Sequence, residues 1–225
     1  MTNTIFYTRR LLILGICLLF IMFLSTDVYD VEFYLSSNVM KFMSIFLCLL
    51  ISIISSPLKR QSRNVFLLQL GLIFTTMADY IFLIHGDDLS IAIGLFSIVQ
   101  IIYSLRYREG NEEIRILRYV IIYLVILITY KTFERFYEID ELIAISIFYS
   151  ICLISSVRDA LWLYKNNMQQ YKNRVILLGM MLFLLCDINL GLNYILGEKI
   201  FSISIWTYYL PSQILLALSG SGFWD

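Results

Sequence analysis

One histidine, two prolines and four scattered cysteines are all that this chain of 225 residues holds of those three kinds. With His85 standing alone beside "GDD", a histidine-rich metal centre is set aside, and His85 itself reads as an exposed loop residue. Cys17, Cys48, Cys152 and Cys186 each lie singly inside an apolar run. No CxxC pair occurs, so neither a disulfide framework nor a zinc site is expected, and no other cofactor is implied. Charge is scarce too. Only 15% of residues are charged and 60% are hydrophobic, against about 25% and about 45–50% in a soluble domain. The net charge is zero, and no nucleic-acid partner is expected. These shortages define an integral membrane protein.

Spanning hydrocarbon takes about 20 mostly apolar residues. Eight segments qualify: 10–25, 38–56, 64–86, 88–107, 115–133, 140–162, 174–196 and 201–220. Backbone groups in lipid must be satisfied within the segment, so each is a helix. The connections are brief, which predicts one polytopic all-α domain over residues 1–225. Basic residues followed by an apolar run resemble a signal peptide over Met1 to Ser25. No small-residue cleavage pattern precedes "TDVYDVEF", so a retained first span is expected.

Thirteen of the 17 Lys and Arg fall on the side that holds the N-terminus. Only Lys41, Lys131, Arg135 and Lys199 fall on the other, together with Asp27, Asp30, Glu32, Asp87, Asp88, Glu138, Asp140 and Glu141. The positive-inside rule then places both termini in the cytoplasm, with the plasma membrane the expected location. Arg158 and Asp159, near the cytoplasmic end of the sixth span, are read as snorkelling residues.

What the chain does have, in two places, is an acid inside an apolar run. "LGLIFTTMADYIFLIHG" (Leu70 to Gly86) carries Asp79, and "LGMMLFLLCDINLGLNYI" (Leu178 to Ile195) carries Asp187. Both read Leu-Gly, seven residues, Asp. Each acid lies about eight or nine residues before the outer exit of its span, or roughly 12 Å deep at about 1.5 Å per residue. The third and seventh spans run parallel, and Gln100 and Gln213 echo one another in the fourth and eighth. The pattern is compatible with a 4+4 parallel duplication.

An ionisable group within a span is costly, faces the bundle interior and is functional by default. Two carboxyls that approach one another in apolar surroundings share a proton rather than hold two charges. Such a pair can act as general acid and as stabiliser of a cation. Other polar groups lie at compatible depths. Lys41 opens the second span and either snorkels or serves as counter-ion. Asn189 and Asn193 follow Asp187, though neither shares its face. Tyr149, Tyr208, Tyr209 and Gln213 sit in the sixth and eighth spans.

Four stretches carry a family resemblance: "GLIFTTMADYIFL", "IAIGLFSIVQIIY", "LLGMMLFLLCDINLGLNYI" and "TYYLPSQILLALS". In this order they resemble the marks of the YhhN, or lysoplasmalogenase, family of eight-span membrane proteins. Ala78, Cys186, Gln100 and Phe42 stand where that family usually has Gly, Ser, His and Pro. The resemblance implies hydrolysis of the vinyl ether bond of a lysoplasmalogen, drawn as a lysophospholipid from the bilayer. Asp79 and Asp187 would be catalytic, one as proton donor and the other stabilising the cation and activating water. Lys41 would hold the phosphate, with Gln100, Tyr149, Asn193, Tyr209 and Gln213 as polar groups of the pocket.

Two other readings fit the same residues. A non-catalytic binder of membrane lipids would keep the fold and bind intact lipid. A proton-coupled carrier would use the paired acids at a repeat interface, although neither Asp is flanked by proline as a broken helix would favour.

Overall fold

A computed structural model describes residues 2–55, 63–86, 88–108, 110–137 and 140–220, without the side chains of residues 2–4 and 199. Lys59, Arg60, Asp87 and Glu138 lie outside the described residues. Among the described residues there are eight helices long and apolar enough to cross a membrane. They are α1 (Thr2–Tyr29), α2 (Ser37–Ser55), α3 (Arg63–Tyr80), α4 (Leu89–Tyr107), α5 (Glu112–Phe133), α6 (Glu141–Asn166), α7 (Tyr171–Leu196) and α8 (Lys199–Leu218). No strand occurs among the described residues. The chain is an all-α membrane bundle. The first helix is much longer than the apolar window 10–25, because polar residues at a helix end need no lipid and can continue the backbone ladder into water.

Turn chemistry sets several boundaries. Asp140 accepts from the Leu142 N–H at 2.9 Å and starts α6, and Asn111 accepts from the Ile114 N–H to start α5, as N-caps do. α3 runs on into a π-helical turn, Ile81–His85. Gly86 closes it at φ 79°, with its N–H bonded to the Ile81 carbonyl at 2.8 Å. Only a residue without Cβ adopts that backbone cheaply. His85 is exposed at the end of this turn, 4.0 Å from the Asp88 carboxylate.

α7 packs most extensively on α8, and α3 on α4. The repeated Leu-Gly explains how. A Cβ on Gly71 would lie 2.4 Å from the Tyr103 ring of α4, and one on Gly179 would lie 3.1 Å from Leu216 of α8. Ser212 of α8 donates to the Gly179 carbonyl at 2.8 Å, across the same approach. Small residues allow such close contact between spans. Each acid-bearing helix thus meets its successor at a glycine eight residues before the acid. The Gly71→Ala protein should be destabilised by about 1–3 kcal/mol, because the buried ring of Tyr103 must move. Gly179→Ala should cost less, since Leu216 can turn away. Thermal unfolding in detergent reads both, and equal losses would contradict this account of the repeat.

Buried polar groups knit the end that holds the N-terminus. Arg106 of α4 is 4% exposed. It donates from Nε to Asn64 at 2.9 Å and from Nη2 to Ser219 at 2.8 Å, joining α3, α4 and the end of α8. Asp159 departs from the expectation of a snorkelling residue. It is 1% exposed and receives hydrogen bonds from Ser104 at 2.6 Å and Arg115 at 2.7 Å. Arg158 does reach outward, being half exposed. The reason for the difference is length: arginine reaches the interface from within a span, whereas aspartate cannot and needs a partner beside it. α5 is tied to the bundle here, and Tyr119 is its one buried residue.

Candidate active site

Four helices bring the two acids into one aromatic cluster. Asp79 of α3 is 2% exposed and accepts from the Tyr209 hydroxyl of α8 at 2.6 Å. Asp187 of α7 is half-buried and accepts from the Tyr149 hydroxyl of α6 at 2.5 Å. Both bonds use Oδ2. The second oxygen of each carboxyl has no hydrogen bond among the described residues.

The tyrosines share neighbours. The ring of Phe96 in α4 lies 6.3 Å from Tyr149 and 6.5 Å from Tyr209, centroid to centroid. Phe183 of α7 closes the cluster, 6.4 Å from Phe96 and 5.6 Å from Tyr209. Three of these contacts are edge-on and the Phe96–Tyr149 pair is tilted; edge-on contact is a geometry that aromatic pairs favour, and the cluster links the two tyrosines. Cys186, next to Asp187 and buried, lies within electrostatic reach of both carboxyls. The chain therefore places two carboxyls, each with its own phenol, around one apolar centre.

One helical turn further along α4 and α8 lies a polar layer. Gln100 follows Phe96 by four residues and Gln213 follows Tyr209 by four, so each shares its predecessor's face. Both are fully buried. Ser156 donates to Gln100 Oε1 at 2.6 Å, while among the described residues Gln100 Nε2 and both polar atoms of the Gln213 amide have no hydrogen-bond partner. Buried amides are ordinarily satisfied, so these groups are suited to a polar ligand.

Lys41 does not snorkel freely. Its ammonium is 2.7 Å from Asp27 of α1, and Ser37 donates to the other oxygen of that carboxylate at 2.7 Å. The ammonium also lies 5.3 Å from the Trp206 ring centre and 5.7 Å from that of Phe23. Trp206 in turn packs on Tyr209 at 5.3 Å. Lys41 is thus a counter-ion to Asp27, and Trp206 links it to Tyr209 of the acid site. Asn189 bonds back to the Leu185 carbonyl at 2.7 Å, and Asn193 makes no side-chain hydrogen bond to either acid among the described residues. Among the described residues, no three His, Cys, Asp or Glu side chains converge as a metal site requires.

Phe96, Phe183 and Trp206 escaped the sequence reading, because an aromatic in an apolar span looks the same whether it faces lipid or the interior. Asp27 escaped it as well, lying 14 residues from its partner on another helix.

Fold and cluster together define a polytopic membrane protein with two carboxyls on its spans, each bonded to a tyrosine of one aromatic cluster. The family model for the YhhN family matches residues 36–220. The chain belongs to the YhhN family. Comparison with curated proteins gives no match, and neither does comparison with solved structures.

Proposed function

We propose that this protein is a membrane hydrolase of the lysoplasmalogenase type, cleaving the vinyl ether bond of a lysoplasmalogen or related ether lysolipid by acid catalysis. The observation that carries the reading is the pair of carboxyls, each held by one tyrosine around Phe96 and Phe183. Hydrolysis of a vinyl ether begins with protonation of the β-carbon, which leaves an oxocarbenium ion on the α-carbon. One of Asp79 and Asp187 donates that proton from Oδ1 while its tyrosine holds Oδ2. The other stays ionised, faces the cation and takes a proton from the water that attacks it. The resulting hemiacetal breaks to a fatty aldehyde and a glycerophospho-alcohol, and the proton count closes.

Surroundings matter as much as the acids. An apolar, tyrosine-braced site supplies fixed dipoles where charge develops, instead of water that must reorganise. The aromatic rings accommodate the alkenyl chain, and the free amides of Gln100 and Gln213 orient water or the ether oxygen. Lys41, already neutralised by Asp27, contributes to the phosphate through the pair rather than as a bare cation.

The test offers the detergent-purified protein a lysoplasmalogen and its saturated alkyl-ether analogue, in deuterated water, with products read by mass spectrometry. Aldehyde should arise from the vinyl ether alone and carry one deuterium on the carbon beside the carbonyl. Intact lysolipid retained without aldehyde would instead establish the non-catalytic binder. Solute uptake into proteoliposomes that depends on Asp79, without cleavage, would establish the carrier.

A further inference from the structure

Two recesses of the protein lie away from Asp79 and Asp187 and adjoin one another. The first, of about 600 Å³, is an apolar cleft between α4, α5 and α6, lined by Gly94, Ile98, Val120, Tyr123 and Phe148 among others. It exists because α5 is latched at one end only. Beyond Tyr119 no residue of the helix is buried: Ile122, Tyr123 and Ile126 pack on Phe148 and its neighbours, while Leu124, Val125 and Ile128 are exposed. The second recess, of about 320 Å³, is lined by Arg108, Arg115, Arg118 and Arg158.

Tyr119 joins the two. Its ring lines the apolar cleft, and the Arg118 guanidinium of the basic recess sits over that ring, 5.3 Å from its centre. Among the described lining residues the charges do not cancel. Among the described residues, Asp159 is the carboxylate ion-paired with this group, 2.7 Å from Arg115, 3.6 Å from Arg158 and 3.8 Å from Arg108. Four guanidiniums thus share that one ion-paired carboxylate among the described residues, and Glu112 is engaged by Arg63 instead. Arg118, Arg108 and Arg158 remain substantially exposed.

We propose that this joined recess is a binding site for one anionic phospholipid of the leaflet on the N-terminal side. Its phosphate lies among Arg108, Arg118 and Arg158, and one acyl chain lies in the cleft under α5. Arginine suits phosphate because its planar fork bonds two oxygens at once. The dimensions agree. Phe148 in the cleft and Arg158 in the basic recess stand ten residues apart on α6, or about 15 Å. That is half of the roughly 30 Å hydrocarbon core, the depth of one leaflet. A free anion would have no use for the cleft, and a neutral lipid none for the arginines. The lipid would fill the space that this half-exposed length of α5 leaves against α4 and α6.

Native mass spectrometry of the full chain in mild detergent tests this, with a phosphatidylglycerol, a phosphatidylcholine of the same chains and inorganic phosphate as probes. One phosphatidylglycerol should be retained per chain, at least about tenfold over phosphatidylcholine, the equivalent of some 1.4 kcal/mol. Arg118→Gln with Arg158→Gln should abolish that preference, whereas Arg118→Lys should keep most of it. Both arginines are exposed enough for the variants to fold. Val120→Trp, which fills the cleft, should lower retention of the lipid without touching the arginines. Equal retention of the two lipids would overturn the proposal, as would a double arginine variant that behaves like wild type. So would inorganic phosphate that displaces the lipid at equal concentration, which would make the site one for a free anion, or a Val120→Trp protein that retains lipid unchanged.

Discussion

Replacing Asp79 or Asp187 by asparagine should lower aldehyde release from a lysoplasmalogen by about 100- to 10,000-fold, the usual weight of a positioned general acid or base. Asparagine keeps the shape of the side chain and still accepts from the tyrosine hydroxyl, so the loss would report protons and charge and not packing. Tyr209→Phe and Tyr149→Phe should act through the acids. Each removes one hydrogen bond to a carboxyl, worth about 1.5 kcal/mol, and should slow release roughly tenfold with substrate affinity little changed. The double Asp79→Asn, Asp187→Asn protein should be scarcely slower than the slower single variant, because groups that act as one unit are not additive in their removal. Wild-type rates from either single variant would end the two-carboxyl mechanism. Losses that multiply would show two independent sites. The asparagine variants should elute and melt as wild type does, since each carboxyl is replaced by a group of nearly equal volume.

How far the residues alone reveal this arrangement depends on how unusual each one is for its surroundings. Eight spans are legible because continuous apolarity over 20 residues has few other meanings. Asp79 and Asp187 are legible because an acid in such a run stands out, and their equal spacing from Gly71 and Gly179 is plain in the text of the chain. Why the glycines are there is not. That depends on Tyr103 and Leu216, which are ordinary core residues until α3 meets α4 and α7 meets α8. The repeat also misleads in one respect. Helix pairing follows it, yet Asp79 takes its tyrosine from α8 and Asp187 takes its from α6. No helical periodicity predicts which of 16 tyrosines faces which acid, because that is set by the lateral order of the helices. Lys41 was ambiguous for the same reason, with Asp27 on a neighbouring helix as its partner.

Asp159 is where the greatest loss of stability is expected. Its carboxyl is 1% exposed, and it gathers Ser104 of α4 and Arg115 of α5 at 2.6 and 2.7 Å. Ser104 in turn accepts from Arg115 at 2.8 Å and from Tyr119 at 2.9 Å. Removing one partner of a buried, hydrogen-bonded charge pair typically costs about 3–5 kcal/mol, because the remaining charge keeps its desolvation penalty. Asp159→Asn should therefore lower the unfolding temperature in detergent by about 10 °C, at the few degrees per kcal/mol usual for chains of this size. Glu134→Gln, which breaks the exposed Lys131–Glu134 pair, should leave it unchanged, since an exposed pair contributes little. The location of the loss tells more than its size. The polar bonds that hold α5 to the bundle come from Arg115 and Tyr119, so freeing these should raise hydrogen exchange along α5 first. The α7–α8 pair, packed through Gly179 and far from the latch in the chain, should keep its protection. Uniform loss of protection in Asp159→Asn would mean that the bundle unfolds as one unit and that α5 is not separately latched.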